Sequence, residues 1–413
     1  MKKNTLLFLL CLAAGTRGLG AQQSGAQDLW QMPDRIVEFG FDLEGGYASN
    51  LIKLKDVFNF QKTLLIDLSS LGPGELFMGE KAAFSTYINV NVGKNLSFGL
   101  FTGAQIDAYQ SASEDFTKFL RRGNAQTRSI NGGMEAGASA FIDAGVKAQA
   151  RIGKLRFMVA PAAFVPLLYV PPPDVNFSLV MTPTGMSLKG TAGIDIYSAF
   201  SMEKLAGDDQ AQDSSKLIPS PMPLGFDLGL EGVYTLLPSL DLGLNIAHIP
   251  LFPAELHSRM RQEVSMEGDW SNMYNSLTQG DFDIPEAETV QTFDDASFFA
   301  FRPLRIDFFA DYRPMLVDMF VIRPHAGLSA LTIFGYDTVC FNAGLEGRIN
   351  LVNMLGFSIG TGYEEHVWKQ SLGVRFNFRV IELDAKFALW GPDIISSFKA
   401  QGFGATLAVK MGF

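Results

Sequence analysis

The last eleven residues constrain the fold more than any other stretch. Counting from Phe403, the odd positions are Phe403, Ala405, Leu407, Val409, Met411 and Phe413, and the even ones are Gly404, Thr406, Ala408, Lys410 and Gly412. Successive side chains of a strand point to opposite faces, so this segment has one wholly apolar face and one small or polar face.

The design recurs upstream. Ile381, Leu383, Ala385, Phe387 and Leu389 alternate with Glu382, Asp384, Lys386 and Trp390, and Leu372, Val374, Phe376, Phe378 and Val380 with Gly373, Arg375, Asn377 and Arg379. Similar runs begin at Val37, Phe226, Leu240, Arg305 and Phe341. The apolar faces extend over about 9–11 residues, which matches a tilted membrane strand. Soluble strands are usually about 5–6 residues. A soluble β-sandwich is the alternative, since its strands alternate too.

No segment beyond the leader holds about 18 uninterrupted apolar residues, so membrane-spanning helices are not expected. Phe157 to Val170 comes nearest, but Pro161 and Pro166 break it. A chain that meets lipid without such helices must close its backbone hydrogen bonding in a barrel. The fold expected is all-β, a transmembrane antiparallel β-barrel of about 14–16 strands with short helical inserts.

Met1-Lys2-Lys3 followed by the apolar run Leu6–Ala14 and small residues to Ala21 describes a cleaved secretory signal peptide over 1–21, with the barrel domain over 22–413. Cys340 is then the sole cysteine of the mature chain and has no intramolecular partner. Only 18% of the residues are charged, beside 41 Gly and 35 Phe; soluble domains carry about 25% charged residues. A net charge of −10 leaves no electrostatic footprint for nucleic acid. Outer-membrane lipid and the barrel-assembly machinery are the expected partners, the outer membrane is the expected location, and the oligomeric state is open.

Strands are expected near 35–48, 82–93, 95–108, 132–151, 154–169, 174–182, 186–201, 224–236, 239–248, 298–313, 319–333, 337–351, 354–364, 367–380, 381–390 and 401–413. Four excursions interrupt them. Segment 51–71 reads as partly helical and suits a lumenal plug. Ser111-Ala112-Ser113-Glu114 resembles a capping box opening a short helix. Glu203–Ser220 and the long Pro250–Ala296 read as loops, and long loops are usually functional or disordered. Tyr47, Tyr109, Tyr169, Tyr234, Tyr312, Tyr336, Tyr363, Trp368 and Trp390 lie near strand ends, where interfacial girdles form.

Motifs for chemistry are sparse. His248, His257, His325 and His366 have no metal-ligand spacing, and no nucleophile elbow or P-loop is present. No catalytic residue, metal or cofactor is expected. The charges on the polar strand faces carry more information: Asp227, Glu231, Asp241, Arg305, Asp307, Asp311, Glu346, Arg348, Arg375, Arg379, Glu382, Asp384 and Lys386 are candidates to face the lumen. One reading has them pair and stiffen a closed interior. The other has them set the charge preference of a channel.

With Phe403, Leu407, Val409, Met411 and Phe413 on one face, the C-terminal strand resembles the signal that the outer-membrane assembly machinery reads. The whole chain resembles the FadL-like group and related uncharacterised barrel families in its leader, its Phe- and Gly-rich strands and its helical excursions. That resemblance implies transport of a hydrophobic solute, a hydrophobic ligand, and a plug at 51–71. The residues themselves leave two functions open. One is a channel or transporter for hydrophobic or small polar solutes; the other is a structural or surface-interaction barrel without transport.

Overall fold

The computed structural model describes residues 35–49, 76–113, 129–181, 186–203, 222–270, 288–314, 319–330, 339–351, 354–364, 367–378, 380–391, 393–398 and 402–413. The expected leader and the plug segment at 51–71 lie outside them, as do Arg379, Tyr336 and His366. The strands are β1 (Val37–Ser49), β2 (Leu76–Val92), β3 (Leu96–Ala112), β4 (Ser129–Ile152), β5 (Leu155–Val170), β6 (Asp174–Met181) and β7 (Met186–Ser198). There follow β8 (Gly225–Leu237), β9 (Leu240–Phe252), β10 (Ala254–Leu256), β11 (Ser258–Trp270), β12 (Glu288–Asp294), β13 (Phe298–Ala300) and β14 (Leu304–Tyr312). The chain ends with β15 (Phe320–Ala330), β16 (Val339–Leu351), β17 (Leu355–Glu364), β18 (Val367–Phe378), β19 (Ile381–Gly391), the four-residue helix α1 (Ile394–Ser397) and β20 (Gly402–Gly412).

Fourteen strands close an antiparallel ring. It runs β1 to β5, then β8, β9 and β14 through β20, and β20 pairs back onto β1. At one end the connections are tight hairpins. Gly93 (φ +73°) and Gly153 (φ +59°) turn two of them, in the left-handed region that a residue without Cβ enters at no steric cost. At the other end most connections are long, the two-residue link between β17 and β18 excepted.

The burial pattern is inverted relative to a soluble protein. Phe39, Leu43, Phe98, Leu100, Phe308, Phe341 and Phe387 are exposed, while Glu38, Asp42, Asn89 and Gln149 on the opposite faces are at most 4% exposed. A sandwich would bury the apolar set, so that alternative fails. Apolar outside, polar inside and no free edge is the arrangement in which lipid leaves no backbone group unsatisfied. No helix among the described residues is long and apolar enough to cross a membrane; the strands do so instead.

Beyond the ring the sheet continues. The 24 residues of β4 span about 80 Å at a strand's rise, more than a bilayer requires. Its first residues, Ser129–Gly133, pair with β6, and β6, β7, β11 and β12 follow in order. The segments 174–182 and 186–201 are therefore strands of this extension, not of the ring. The stretch Pro250–Ala296, expected as a long loop, carries β10, β11 and β12. Arg259 and Arg261 of β11 pair with Asp294 of β12 and Asp195 of β7, so the charges that made this stretch read as loop are partnered across the sheet.

Two further expectations change. Ser111 and Ala112 belong to β3 rather than to a helix start, because their backbones pair with Glu135 and Met134; the rest of that excursion lies outside the described residues. Tyr169 and Trp390 are 8% and 4% exposed and point into the barrel, so they are not girdle residues. Tyr234 and Tyr312, each 45% exposed near the hairpin end, are placed as a girdle would place them.

The lipid-facing assignment is directly testable. Leu407 sits at the middle of β20 on the exposed face. Leu407→Arg is expected to lower the stability of the vesicle-inserted protein by about 2–4 kcal/mol, the cost of a cation at the bilayer midplane. Urea unfolding monitored by Trp fluorescence measures it, and an unchanged midpoint would contradict the assignment.

Candidate functional site

The inner register carries across the first five strands. Asp42 lies opposite Ser85, Ser85 opposite Gly103, Gly103 opposite Asp143 and Asp143 opposite Phe164. Glycine recurs on this face for a packing reason. A Cβ on Gly40 would fall 2.0 Å from the Tyr87 ring, and one on Gly243 would fall 2.1 Å from Phe309. Gly46 and Gly404 both lie under Trp390 in the same way. Each missing Cβ gives a large inward ring of the next strand a place to lie flat, so the interior fills without pushing the strands apart.

Charges fill most of the rest, in pairs. Arg302, in the connection between β13 and β14, reaches into the barrel and donates from Nε and Nη2 to Asp227 at 2.6 and 2.8 Å. Its Nη1 lies 3.0 Å from Asp143. Arg323 grips Asp311 in the same bidentate fork, at 2.5 and 2.6 Å. Two carboxylates each serve two cations. Glu346 lies between Arg348 (2.7 Å) and Lys386 (3.2 Å), and Asp241 between Arg156 (3.1 Å) and Arg313 (3.0 Å). Arg375 donates to Asp384 at 2.9 Å and lies 3.6 Å from Glu382. Buried charges persist only when paired in this manner.

Two cavities adjoin along the β14–β20 side. One, of about 320 Å³, lies toward the hairpin end and is lined by Arg156, Glu231, Arg313 and Asn350 among others. The second, of about 220 Å³, lies toward the long connections and reaches Glu364, Lys369 and Trp390. Phe309, Arg323, Glu346, Arg348, Arg375, Asp384 and Lys386 line both, and so form the partition between them. On the other side of the barrel an apolar cluster fills the long-connection end. Ala254 and Leu256 of β10 and Ala300 of β13 are fully buried there against Phe141, Phe164, Tyr169 and Tyr197. Phe298 stacks on Tyr197 and Tyr169 at centroid distances of 4.5 and 5.0 Å.

No protein-family profile matches this sequence, and no curated protein matches it. Solved structures do show likeness in chain trace. A mutant of the TodX monoaromatic hydrocarbon channel is similar at a TM-score of 0.49 and 9% identity, over 96% of this chain and 95% of that one. The toluene transporter TodX of P. putida is similar at 0.48 and 9%, over 94% and 93%. A FadL homologue of Pseudomonas aeruginosa is similar at 0.42 and 8%, over 92% and 91%. At these identities the likeness is one of chain trace alone.

Of the residues singled out in the sequence, Asp227, Glu231, Asp241, Asp307, Asp311 and Glu382 are buried on the inner faces of their strands. Arg305, Glu346, Arg348, Arg375, Asp384 and Lys386 are half-buried on the same side. Arg379 lies outside the described residues. The structure brings Asp311, Glu346, Arg348, Arg375, Asp384 and Lys386 to the partition and its neighbouring cavity, while Asp227 belongs to the separate Arg302 cluster. The sequence reading missed Arg302, Asp143, Arg156, Arg313 and Arg323. Alternation with Val321 and His325 would have placed Arg323. Arg302 left no such signal, because it lies between strands and only the fold carries it to Asp227.

The Arg302 cluster yields an energetic test. Arg302→Ala leaves Asp143 and Asp227 buried without their shared cation and is expected to cost about 3–5 kcal/mol. Combining Arg302→Met with Asp143→Asn and Asp227→Asn is expected to recover most of that loss. Urea unfolding of the vesicle-inserted variants gives both values, and equal losses in the two would show that the pairing is not the source.

Proposed function

We propose that this chain is a transport barrel of the outer membrane, admitting small solutes through its lumen. The observation that carries the reading is the pair of adjoining cavities, about 320 and 220 Å³, divided by a partition of ion-paired side chains rather than by packed apolar core. A purely structural barrel gains nothing from cavities lined by matched charges. A passage does, because paired charges keep the wall wet while holding no solute tightly. The charged lining favours small polar solutes on the lumenal path. The apolar cluster of Tyr169, Tyr197, Phe298 and Leu256 favours capture of hydrophobic ones at the long-connection end. By the usual asymmetry of such barrels the hairpin end faces the periplasm. The expected signal peptide and the β20 assembly face accord with that placement.

A second reading is a surface-interaction barrel, which the extension β6–β7–β11–β12 favours. Its cross-strand pairs Arg259–Asp294 (2.5 Å) and Lys189–Glu267 (3.6 Å) stand on an exposed sheet beyond the ring.

Liposome swelling with the refolded full-length protein separates the two. Glycine and arabinose are expected to enter proteoliposomes faster than empty vesicles, and Lys386→Ala, which thins the partition, is expected to raise the rate several-fold. No swelling with either solute, in wild type and variant alike, would overturn the transport reading.

A further inference from the structure

A third cavity, of about 110 Å³, lies on the opposite side of the lumen from the partition. It stands next to an irregularity in β9. Leu228 pairs with Ile249 and Leu230 with Ile246, so the single residue Gly229 faces both Ala247 and His248. An extra residue of this kind is a β-bulge, a device that re-aims a side chain. Strict alternation after Leu242, Leu244 and Ile246 would send His248 into lipid. Instead Ala247 and His248 are consecutive and both buried, at 6% and 7% exposure. Among the described residues His248 is the non-glycine residue with a positive φ, +60°, a backbone conformation that L side chains enter sparingly.

The ring is oriented. Nδ1 lies 3.0 Å from the Pro303 carbonyl oxygen. A carbonyl only accepts, so Nδ1 carries the proton and donates. Nε2, on the far side of the ring, is buried without a hydrogen-bond partner, and His248 lines the cavity. A protonated Nε2 would be a buried charge with no acceptor in reach, since Asp143 and Asp227 are turned to Arg302. An unpaired neutral acceptor costs less than an unpaired charge, so the neutral ring, with an unpartnered Nε2 lone pair, is the form present.

We propose that this cavity is a ligand site, in which Nε2 of His248 accepts a hydrogen bond from a small neutral molecule with one N–H or O–H donor on an apolar body. Phe101, Met158, Ala160, Ala162 and Ala247 supply an apolar wall for that body. The charges that also line the cavity are of both signs, Arg302 paired with Asp143 and Asp227, and Lys147, over the Tyr87 ring at 4.0 Å, with Asp42, so the wall favours no ligand of one sign. A cavity of about 150 Å³ accepts benzene, which sets the size here at about five heavy atoms. The site is defined by binding and stands whether or not the barrel conducts.

Pyrrole and furan are the probes, near-isosteric rings of which only pyrrole donates. In full-length protein labelled with ¹⁵N-histidine and refolded in nanodiscs, the His248 Nε2 resonance is expected at the position of an unprotonated nitrogen. Pyrrole is expected to move it upfield saturably, and furan to leave it in place. His248→Asn assigns the resonance by removing it, and Asn tolerates the left-handed backbone. Met158→Trp fills the cavity and is expected to abolish the pyrrole response while the His248 resonance remains. A protonated Nε2 in the ligand-free protein, no saturable response to pyrrole, or an equal response to furan would each overturn the proposal. An impermeable barrel would not affect these readings.

Discussion

Everything in this molecule depends on the pairing of its last strand with its first. Inside a bilayer no water is present to satisfy an exposed strand edge, so an open sheet of these strands would leave two rows of unpaired N–H and C=O groups in hydrocarbon. β20 removes both edges by pairing with β19 on one side and β1 on the other. The seam extends to the final residue. Ile36 and Val37 donate to the Phe413 carbonyl at 2.7 and 3.2 Å, and Phe413 donates back to Val37 at 3.1 Å. The Phe413 side chain stays exposed on the outer face.

Closing the ring creates the interior problem that the rest of the sequence answers. Every second residue is forced inward, and only the end around β10 and β13 offers an apolar core to receive it. Two devices share the space. Inward glycines let rings such as Tyr87, Phe309 and Trp390 lie across the neighbouring strand, and ion pairs neutralise the charges that remain. Where both devices are dense, around Arg302 and the apolar cluster of β10 and β13, the lumen is largely filled. Where charges dominate, along β15 to β19, it stays hollow. The bulge at Gly229 adds a third device, turning an imidazole from lipid to lumen at the one place where strict alternation would have exposed it.

The ring itself was legible in the sequence. Alternation works as a signal because lipid and lumen demand opposite polarity, and that demand acts locally, residue by residue. All fourteen ring strands were recognised, and the polar sets of β19 and β20 were read in the correct phase. In the extension β6 and β7 fall on expected strands, but β11 and β12 do not. β12 is exposed along nearly its whole length and offers no buried face, while β11, where Met260, Val264 and Met266 alternate with Arg259, Arg261, Glu263, Ser265 and Glu267, lies within the stretch expected as loop. Tyr169 and Trp390 misled differently, because a position near a strand end does not tell which face a ring takes.

Sequence alone determined which residues of the regular strands meet lipid and which do not, since a two-residue period needs no knowledge of neighbours. It did not determine who meets whom inside. That Arg302 would bridge Asp143 and Asp227, residues 159 and 75 positions earlier, follows only from the order in which strands close the ring. The division of the interior into packed and hollow regions has the same origin. The one-residue bulge that re-aims His248 is likewise a property of pairing between two strands, and no single strand encodes it.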